Sequence, residues 1–396
     1  MEAYVIDWLN LLVRWLHFIA GIAWIGASFY FVMLDNSLSR PKKPDDATRG
    51  VSGELWAVHG GGFYCSQKYL TGPKGEPLSE NLHWSKWEAY TTWLSGTGLL
   101  ALIYWWGANS YLIDRNVLAL SPVAAIAISI AFLAAGWIIY DALCRVLEKN
   151  ENLLVGLIFV LVMGAAWALF NIFSARAAFI HVGAMIGTIM VANVFFHIIP
   201  GQKKMVADIR AGREPDPKPG IIGKQRSVHN TYLTLPVLFT MISNHYPMTY
   251  SHAYGWLVLG AIMLAGVLIR QFFVLRHSGK VNWALPGVAV VLLVGVAIAI
   301  APKSAARGGD AVPFARVQGV LDQRCVGCHA VHPTQAGFAQ PPKGVLLDSP
   351  EQIAANAPKL AETVANRYMP IGNLTQMTDD ERSLIAAWFA QGAATK

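Results

Sequence analysis

Charged residues are scarce in this chain. They make up only 14% of its 396 residues, whereas hydrophobic residues make up 54%. Together with a mean hydropathy of +0.40, this composition excludes an ordinary soluble protein and predicts an integral membrane protein. Cysteine is scarce as well, with four residues. Cys65 and Cys144 fall in or beside predicted inner loops, so we expect free, reduced thiols there rather than a disulfide.

Apolar runs long enough to cross a bilayer, about 20 residues each, recur along the first three quarters of the sequence. One weaker run contains Pro236, which a membrane helix tolerates only when neighbouring helices satisfy the freed backbone groups. Counting the weaker run, the sequence predicts an all-α polytopic bundle with eight spans, at 8–34, 87–106, 121–143, 152–170, 177–199, 230–244, 254–275 and 283–301.

The net charge of +7 does not indicate nucleic acid, because the basic residues crowd the loops on one side of the predicted membrane. With eight spans, the outer loops hold only Arg115 and Arg176. The positive-inside rule then places both termini on the outer, periplasm-like face of a cell membrane. Nearly all other Lys and Arg residues of the membrane part fall in the predicted inner loops, 35–86, 144–151, 200–229 and 276–282.

The long apolar runs end at residue 301, and the sequence after it is more polar. We predict an integral membrane domain at 1–301, a polar linker at 302–313 and a small domain at 314–396. Two capping boxes, at 349–352 and 378–381, predict helix starts in the small domain.

The small domain contains the motif C-x-x-C-H, formed by Cys325, Cys328 and His329. Two thiols at this spacing can each bond one haem vinyl group, and the adjacent histidine then meets the iron, so the motif predicts one covalent haem c. A zinc site is the alternative, but it needs two further ligands, and the sequence has neither a second C-x-x-C nor an H-x3-H pair.

The helix order around this motif resembles a class I mono-haem cytochrome c. That resemblance implies a methionine as the second axial ligand, and Tyr368-Met369-Pro370 matches the family's usual methionine segment. We therefore predict Met369 as the ligand, with Met377 as the competitor; a buried methionine that only fills space is the alternative for either.

Histidines within the spans are the main candidates for functional residues in the membrane domain. His17, His181 and His197 lie well inside predicted spans. They are open to two interpretations: ligands of an additional b-type haem, or hydrogen-bonded packing residues. On the first helix, Arg14, His17 and Trp24 share a stripe of polar and small residues.

Four segments of the membrane part are distinctive in combination: RWLHFIAGIAWIG at 14–26, HGGGFY at 59–64, YTTWLSG at 90–96 and NVFFH at 193–197. With these segments and the C-terminal part that is similar to a cytochrome c, the chain resembles over nearly its whole length the bacterial membrane-bound, cytochrome c-linked urate oxidase (urate hydroxylase) family. The resemblance implies conversion of urate and water to 5-hydroxyisourate in purine degradation, with electrons leaving through the c haem to a downstream cytochrome c or terminal oxidase. It also implies a multi-pass protein of the bacterial inner membrane.

Urate is a flat anion at neutral pH, so its site should combine an arginine, an aromatic ring and a base. Arg14, Trp24 and His17 are the candidate catalytic residues on this argument. Two other functions stay open at this point: a quinol or other small-molecule dehydrogenase that feeds its own cytochrome, and a non-enzymatic electron carrier anchored in the membrane.

Overall fold

The computed structural model describes residues 2–301, 311–335 and 338–395. Most of the predicted linker, residues 302–310, lies outside this description. The described chain is mostly helical. Its α-helices are α1 Glu2–Asn36, α2 Pro44–Thr48, α3 Trp87–Leu100, α4 Pro122–Val146, α5 Glu151–Phe170, α6 Ala175–Ala192, α7 Ile199–Arg210, α8 Lys218–Ile242, α9 Pro247–Tyr250, α10 Gly255–His277, α11 Ala284–Ala299, α12 Phe314–Arg324, α13 Val326–His329, α14 Pro350–Ala365 and α15 Asp379–Ala390.

All eight predicted spans fall on helices. Within the described residues, five helical segments are long and apolar enough to cross a membrane, which is consistent with a membrane protein. The remaining three are shorter or more polar: α3 passes into the π-helical segment Ala101–Trp105, α8 carries Pro236, and α11 has only 16 residues. The five segments are Tyr4–Asn36, Pro122–Val146, Glu151–Phe170, Ala175–Arg210 and Gly255–His277.

Helix α6 lies at the centre of the membrane part. It contacts α3, α4, α5, α8 and α10, and Phe179, Val182 and Ile186 on it are completely buried. A helix that is apolar all round is suited to such a central position. Small residues let neighbouring helices approach closely, since Gly183 lies directly against Thr240 of α8.

A β-hairpin interrupts the all-α pattern between α2 and α3, and the sequence reading did not anticipate it. Strand β1, Val51–His59, pairs antiparallel with β2, Gly62–Tyr69. Gly60 and Gly61 form the two-residue turn with φ of 58° and 81°, which suits glycine and the tight turns of hairpins.

The C-terminal part has its own apolar core. Val317 and Leu321 of α12 pack with Ile385 and Trp388 of α15, and all four are buried. Both predicted capping boxes are present, at the starts of α14 and α15. These caps fix where the two helices begin, and thereby shape the loop 366–378 between them.

The close approach at Gly183 generates a prediction. A Cβ at this position would overlap the Thr240 side chain, so Gly183→Ala should destabilise the protein by about 1–3 kcal/mol through overpacking. Gly187→Ala on the same helix is the matched control, because nothing lies within 4 Å of its Cβ position. Thermal unfolding in detergent should show a lower midpoint for Gly183→Ala only. Equal midpoints for the two variants would contradict the α6–α8 packing.

Candidate functional site

A cavity of about 350 Å³ lies between the membrane part and the C-terminal part of the chain. One wall comes from the C-terminal part and includes Cys325, Cys328, His329 and Met369. The opposite wall comes from α1, the segment after α3 and the start of α6. Its residues include Asn10, Arg14, Ile103, Ser110, Tyr111 and Arg176.

The C-x-x-C-H motif forms a single helical turn at the end of α12. The backbone N–H groups of Cys328 and His329 both donate to the carbonyl of Cys325, at 3.1 and 2.9 Å. This turn brings both sulfur atoms to the cavity. Burial raises the pKa of the Cys325 thiol to about 12 and also raises that of Cys328, so both groups are neutral thiols at neutral pH.

The imidazole of His329 is held by one hydrogen bond. Its Nδ1 lies 3.0 Å from the carbonyl oxygen of Val345. A carbonyl can only accept, so Nδ1 carries a proton, and in the neutral imidazole Nε2 then keeps its lone pair. This is the arrangement in which a histidine can serve as a ligand through Nε2.

The two candidate methionines occupy different environments. Met369 lines the cavity, and its backbone is fixed on both sides: its N–H donates to Thr363 at 2.9 Å and its carbonyl accepts from Arg382 at 2.7 Å. Met377 is instead 2% exposed within the apolar core of the C-terminal part. Of the two, the structure brings only Met369 to the cavity beside His329.

Two arginines mark the opposite wall. Arg176, in the first turn of α6, donates from Nε to Oδ1 of Asn244 at 3.0 Å, and its guanidinium lies 5.4 Å from the centre of the Tyr111 ring. Arg14 donates to Oδ1 of Asn10. Among the described residues, neither guanidinium forms an ion pair with an Asp or Glu.

The structure does not gather the three predicted catalytic residues at one place. Arg14 lines the cavity, whereas His17 hydrogen-bonds through Nδ1 to the Thr92 carbonyl of α3 at 2.9 Å. Trp24 packs against the apolar core, and ten residues of helix separate it from Arg14, which is about 15 Å along the axis. The joint catalytic role of Arg14, His17 and Trp24 therefore stays a prediction.

The other two membrane histidines have partners within the protein. His181 is completely buried and bonds Ser129 through Nε2 at 2.7 Å and the Ala177 carbonyl through Nδ1 at 2.8 Å. His197 bonds the Asp141 carboxylate at 2.7 Å. The additional b-type haem therefore stays a prediction. In the part of the chain that is described, no group of three or more His, Cys, Asp or Glu could hold a metal ion.

A second polar cluster, which the sequence reading missed, lies between α4, α5, α8 and the segment Asn193–Ile198. Asp141 accepts from Arg226 at 2.7 Å as well as from His197. Beside it, His229 joins the Tyr140 hydroxyl, at 2.8 Å, to the Glu151 carboxylate, also at 2.8 Å. The position of these residues could have predicted the cluster, because Asp141 and Arg226 are charged residues at the ends of apolar helical runs.

The fold and the cavity define a mainly helical protein with helices suited to a membrane, whose smaller C-terminal part presents a C-x-x-C-H motif to an arginine-bearing wall. Residues 3–301 match the model of the family described as Urate oxidase N-terminal. The match covers most of the chain, so the chain belongs to the urate oxidase N-terminal family. This membership indicates an oxidoreductase related to urate oxidation. No curated protein and no solved structure matches the chain.

The contact between the two parts generates a prediction. Gly372, at φ 56°, approaches the Ser110 carbonyl so closely that a Cβ would lie 2.5 Å from its oxygen. Gly372→Ala should push the C-terminal part away from the segment Ala108–Leu112. We expect faster amide hydrogen exchange in that segment.

Gly344→Ala is the matched control, since Gly344 also has positive φ, 66°, but no atom within 4 Å of its Cβ position. Both variants carry the same left-handed strain of about 1 kcal/mol. Unchanged exchange at 108–112 in Gly372→Ala would contradict the docking.

Proposed function

We propose that this protein is a membrane-bound urate oxidase that converts urate and water to 5-hydroxyisourate and passes the electrons through a covalent haem c to the respiratory chain. One observation carries the proposal: the cavity that contains the C-x-x-C-H motif is closed on its other side by arginines of the urate oxidase family domain. The proposed haem and the arginines that would bind an anion thus lie at the same cavity.

The residues of the C-terminal wall fit a c-type haem. Cys325 and Cys328 would bond its two vinyl groups, and Nε2 of His329 and the sulfur of Met369 would be the iron ligands. Apolar side chains complete this wall, as a largely apolar macrocycle requires; they include Leu347, Leu360, Ile371 and Leu374. When bound, this group supplies one-electron redox chemistry.

The reaction balances without peroxide. Urate gains the oxygen of one water at C5, and two electrons and two protons leave. The membrane domain must therefore hold the anion, admit water and accept protons, while the electrons leave one at a time toward a downstream cytochrome c or terminal oxidase.

The proposed location is the inner membrane of a bacterium, with both termini and the C-terminal domain on the periplasmic side. The asymmetry of Lys and Arg between the predicted loops supports this orientation. The cavity is also consistent with it, because its membrane-domain residues come from the early part of α1 and the start of α6, which lie on the outer side in the eight-span arrangement.

An anaerobic absorption spectrum of oxidised membranes, taken before and after addition of urate, tests the function. We expect a reduced c-type band that appears with urate and is absent from a Cys325→Ala/Cys328→Ala variant. A haem that dithionite reduces and urate does not would reject urate as the donor and favour the quinol dehydrogenase. A haem that neither urate nor quinol reduces would favour a plain electron carrier.

Replacement of the methionines tests the proposed iron ligands. A thioether ligand raises the haem potential, so Met369→Ala should lower the midpoint potential by on the order of 0.1 V, a fraction of the roughly 0.8 V range that axial ligands span. Met377→Ala is the control and should leave the potential nearly unchanged while lowering stability. The reverse pattern in a redox titration would assign the ligand to Met377.

A further inference from the structure

We propose that Arg176 and Tyr111 form the site that binds the urate anion, that Asn244 orients the arginine, and that the C-terminal domain completes this site through Tyr368. This inference rests on the proposed function and assigns the binding wall of the same cavity. It replaces the stripe of Arg14, His17 and Trp24 as the centre of substrate binding and keeps only Arg14 near it.

The charge of Arg176 is the first argument. Its guanidinium is half-buried beneath the C-terminal domain, and no carboxylate of the described chain forms an ion pair with it. Buried charges are normally paired, because their desolvation is costly. An arginine held without a counter-ion at a cavity is therefore suited to an anionic ligand, and urate is a monoanion at neutral pH.

The hydrogen bonding of Arg176 is the second argument. Asn244 Oδ1 accepts from Arg176 Nε at 3.0 Å and also from the Tyr104 hydroxyl at 3.2 Å. This bond orients the guanidinium, and the buried Tyr104 hydroxyl is a second hydrogen-bond partner of the same group. An arginine has five N–H groups, so donors remain for a ligand. Two parallel N–H donors of an arginine match a planar ligand that presents two acceptor atoms along one edge, as urate does.

Aromatic groups surround this guanidinium. The Tyr111 ring lies under it at 5.4 Å, and the hydroxyl of Tyr250 is buried without a hydrogen-bond partner. Tyr250 lies within electrostatic reach of both Arg176 and Tyr368. Of Tyr111 and Tyr250, only Tyr111 is among the cavity-lining residues with Arg176, so its ring is placed to pack against a flat ligand.

The C-terminal domain contributes to the same site. Tyr368 precedes Met369 and lines the cavity with it, and it also lies within electrostatic reach of Arg176. The residue next to the proposed iron ligand thus faces the proposed substrate arginine. In this arrangement a substrate bound at Arg176 shares its cavity with the C-x-x-C-H motif, and the membrane domain alone lacks part of the binding site.

Equilibrium binding of radiolabelled urate to the purified full-length protein tests the assignment. The haem is first reduced with dithionite under argon, so that bound urate cannot give up electrons and binding is measured apart from turnover. For Arg176→Gln we expect the Kd to rise by about 30-fold or more, because both the charge and the paired donors are lost. Arg115→Gln, an exposed arginine of the predicted outer loops, is the matched control and should bind like the wild type.

Two further variants keep the test decisive. Arg176→Lys retains the cation and covers the case in which the Gln variant fails to incorporate haem; its Kd should rise by about tenfold, because an ammonium lacks the paired donors. Tyr368→Ala should weaken binding with unchanged haem content. Wild-type affinity in Arg176→Gln or Arg176→Lys with full haem content would overturn this site.

The two proposals fail in different ways. If urate reduces the haem of Arg176→Gln as fast as that of the wild type, and at the same concentrations, the function stands and Arg176 is not the binding residue. If wild-type protein neither binds urate nor is reduced by it, the proposed function itself fails.

Discussion

The serine that caps α6 joins the helical bundle to the functional cavity. Ser174 is 3% exposed. Its N–H donates to the Leu112 carbonyl and its hydroxyl to the Tyr111 carbonyl, both at 2.9 Å, while its oxygen accepts the N–H of Ala177 at 3.3 Å. One side chain therefore starts the central helix and holds the neighbouring segment in register with it. Because Arg176 is two residues further on, this cap also sets Tyr111 beneath its guanidinium.

Electrostatics divides the membrane part into two unlike regions. In the cluster between α4, α5 and α8, Arg226, 3% exposed in its side chain, pairs with Asp141, and His229 hydrogen-bonds Glu151. At the cavity, Arg14 and Arg176 have no such partners. Pairing lowers the cost of burying charge and stabilises a fold. Arg270 of α10 is also buried without an ion pair among the described residues, but it lies 4.0 Å from the centre of the Phe29 ring and not at the cavity. The proposed binding role of Arg176 therefore depends on its place at the cavity as well as on its charge.

The sequence was most informative where its signals are local. Apolar runs gave the helical segments, and the patterns at 349–352 and 378–381 gave the helix starts, because capping depends only on neighbouring residues. The hairpin was not predicted from the sequence; in the structure Gly60 and Gly61 form its turn. The C-x-x-C-H motif was recognisable because its chemistry fits within five residues.

The proposed binding site could not be predicted from the sequence in the same way, because its residues come from separate elements. Tyr111 follows α3, Arg176 begins α6, Asn244 follows α8, and Tyr368 belongs to the C-terminal domain. No periodicity relates these positions. The stripe of Arg14, His17 and Trp24 stays a prediction, and it shows that residues on a common helix face can still be separated by the helical rise.

Docking of the C-terminal domain rests on groups with little freedom to move. Arg382 of α15 donates to the carbonyls of Val364, at 2.8 Å, and Met369, at 2.7 Å, which holds the methionine loop against the helices. Across the interface, burial raises the pKa of Asp114, while the nearby Arg382 and Arg367 act to lower it. The contact between the two parts thus includes the close approach of Gly372 to the Ser110 carbonyl and the partly buried carboxyl of Asp114 near Arg382 and Arg367. A docked domain of this kind can complete a substrate site, because its loop keeps one position relative to the membrane helices.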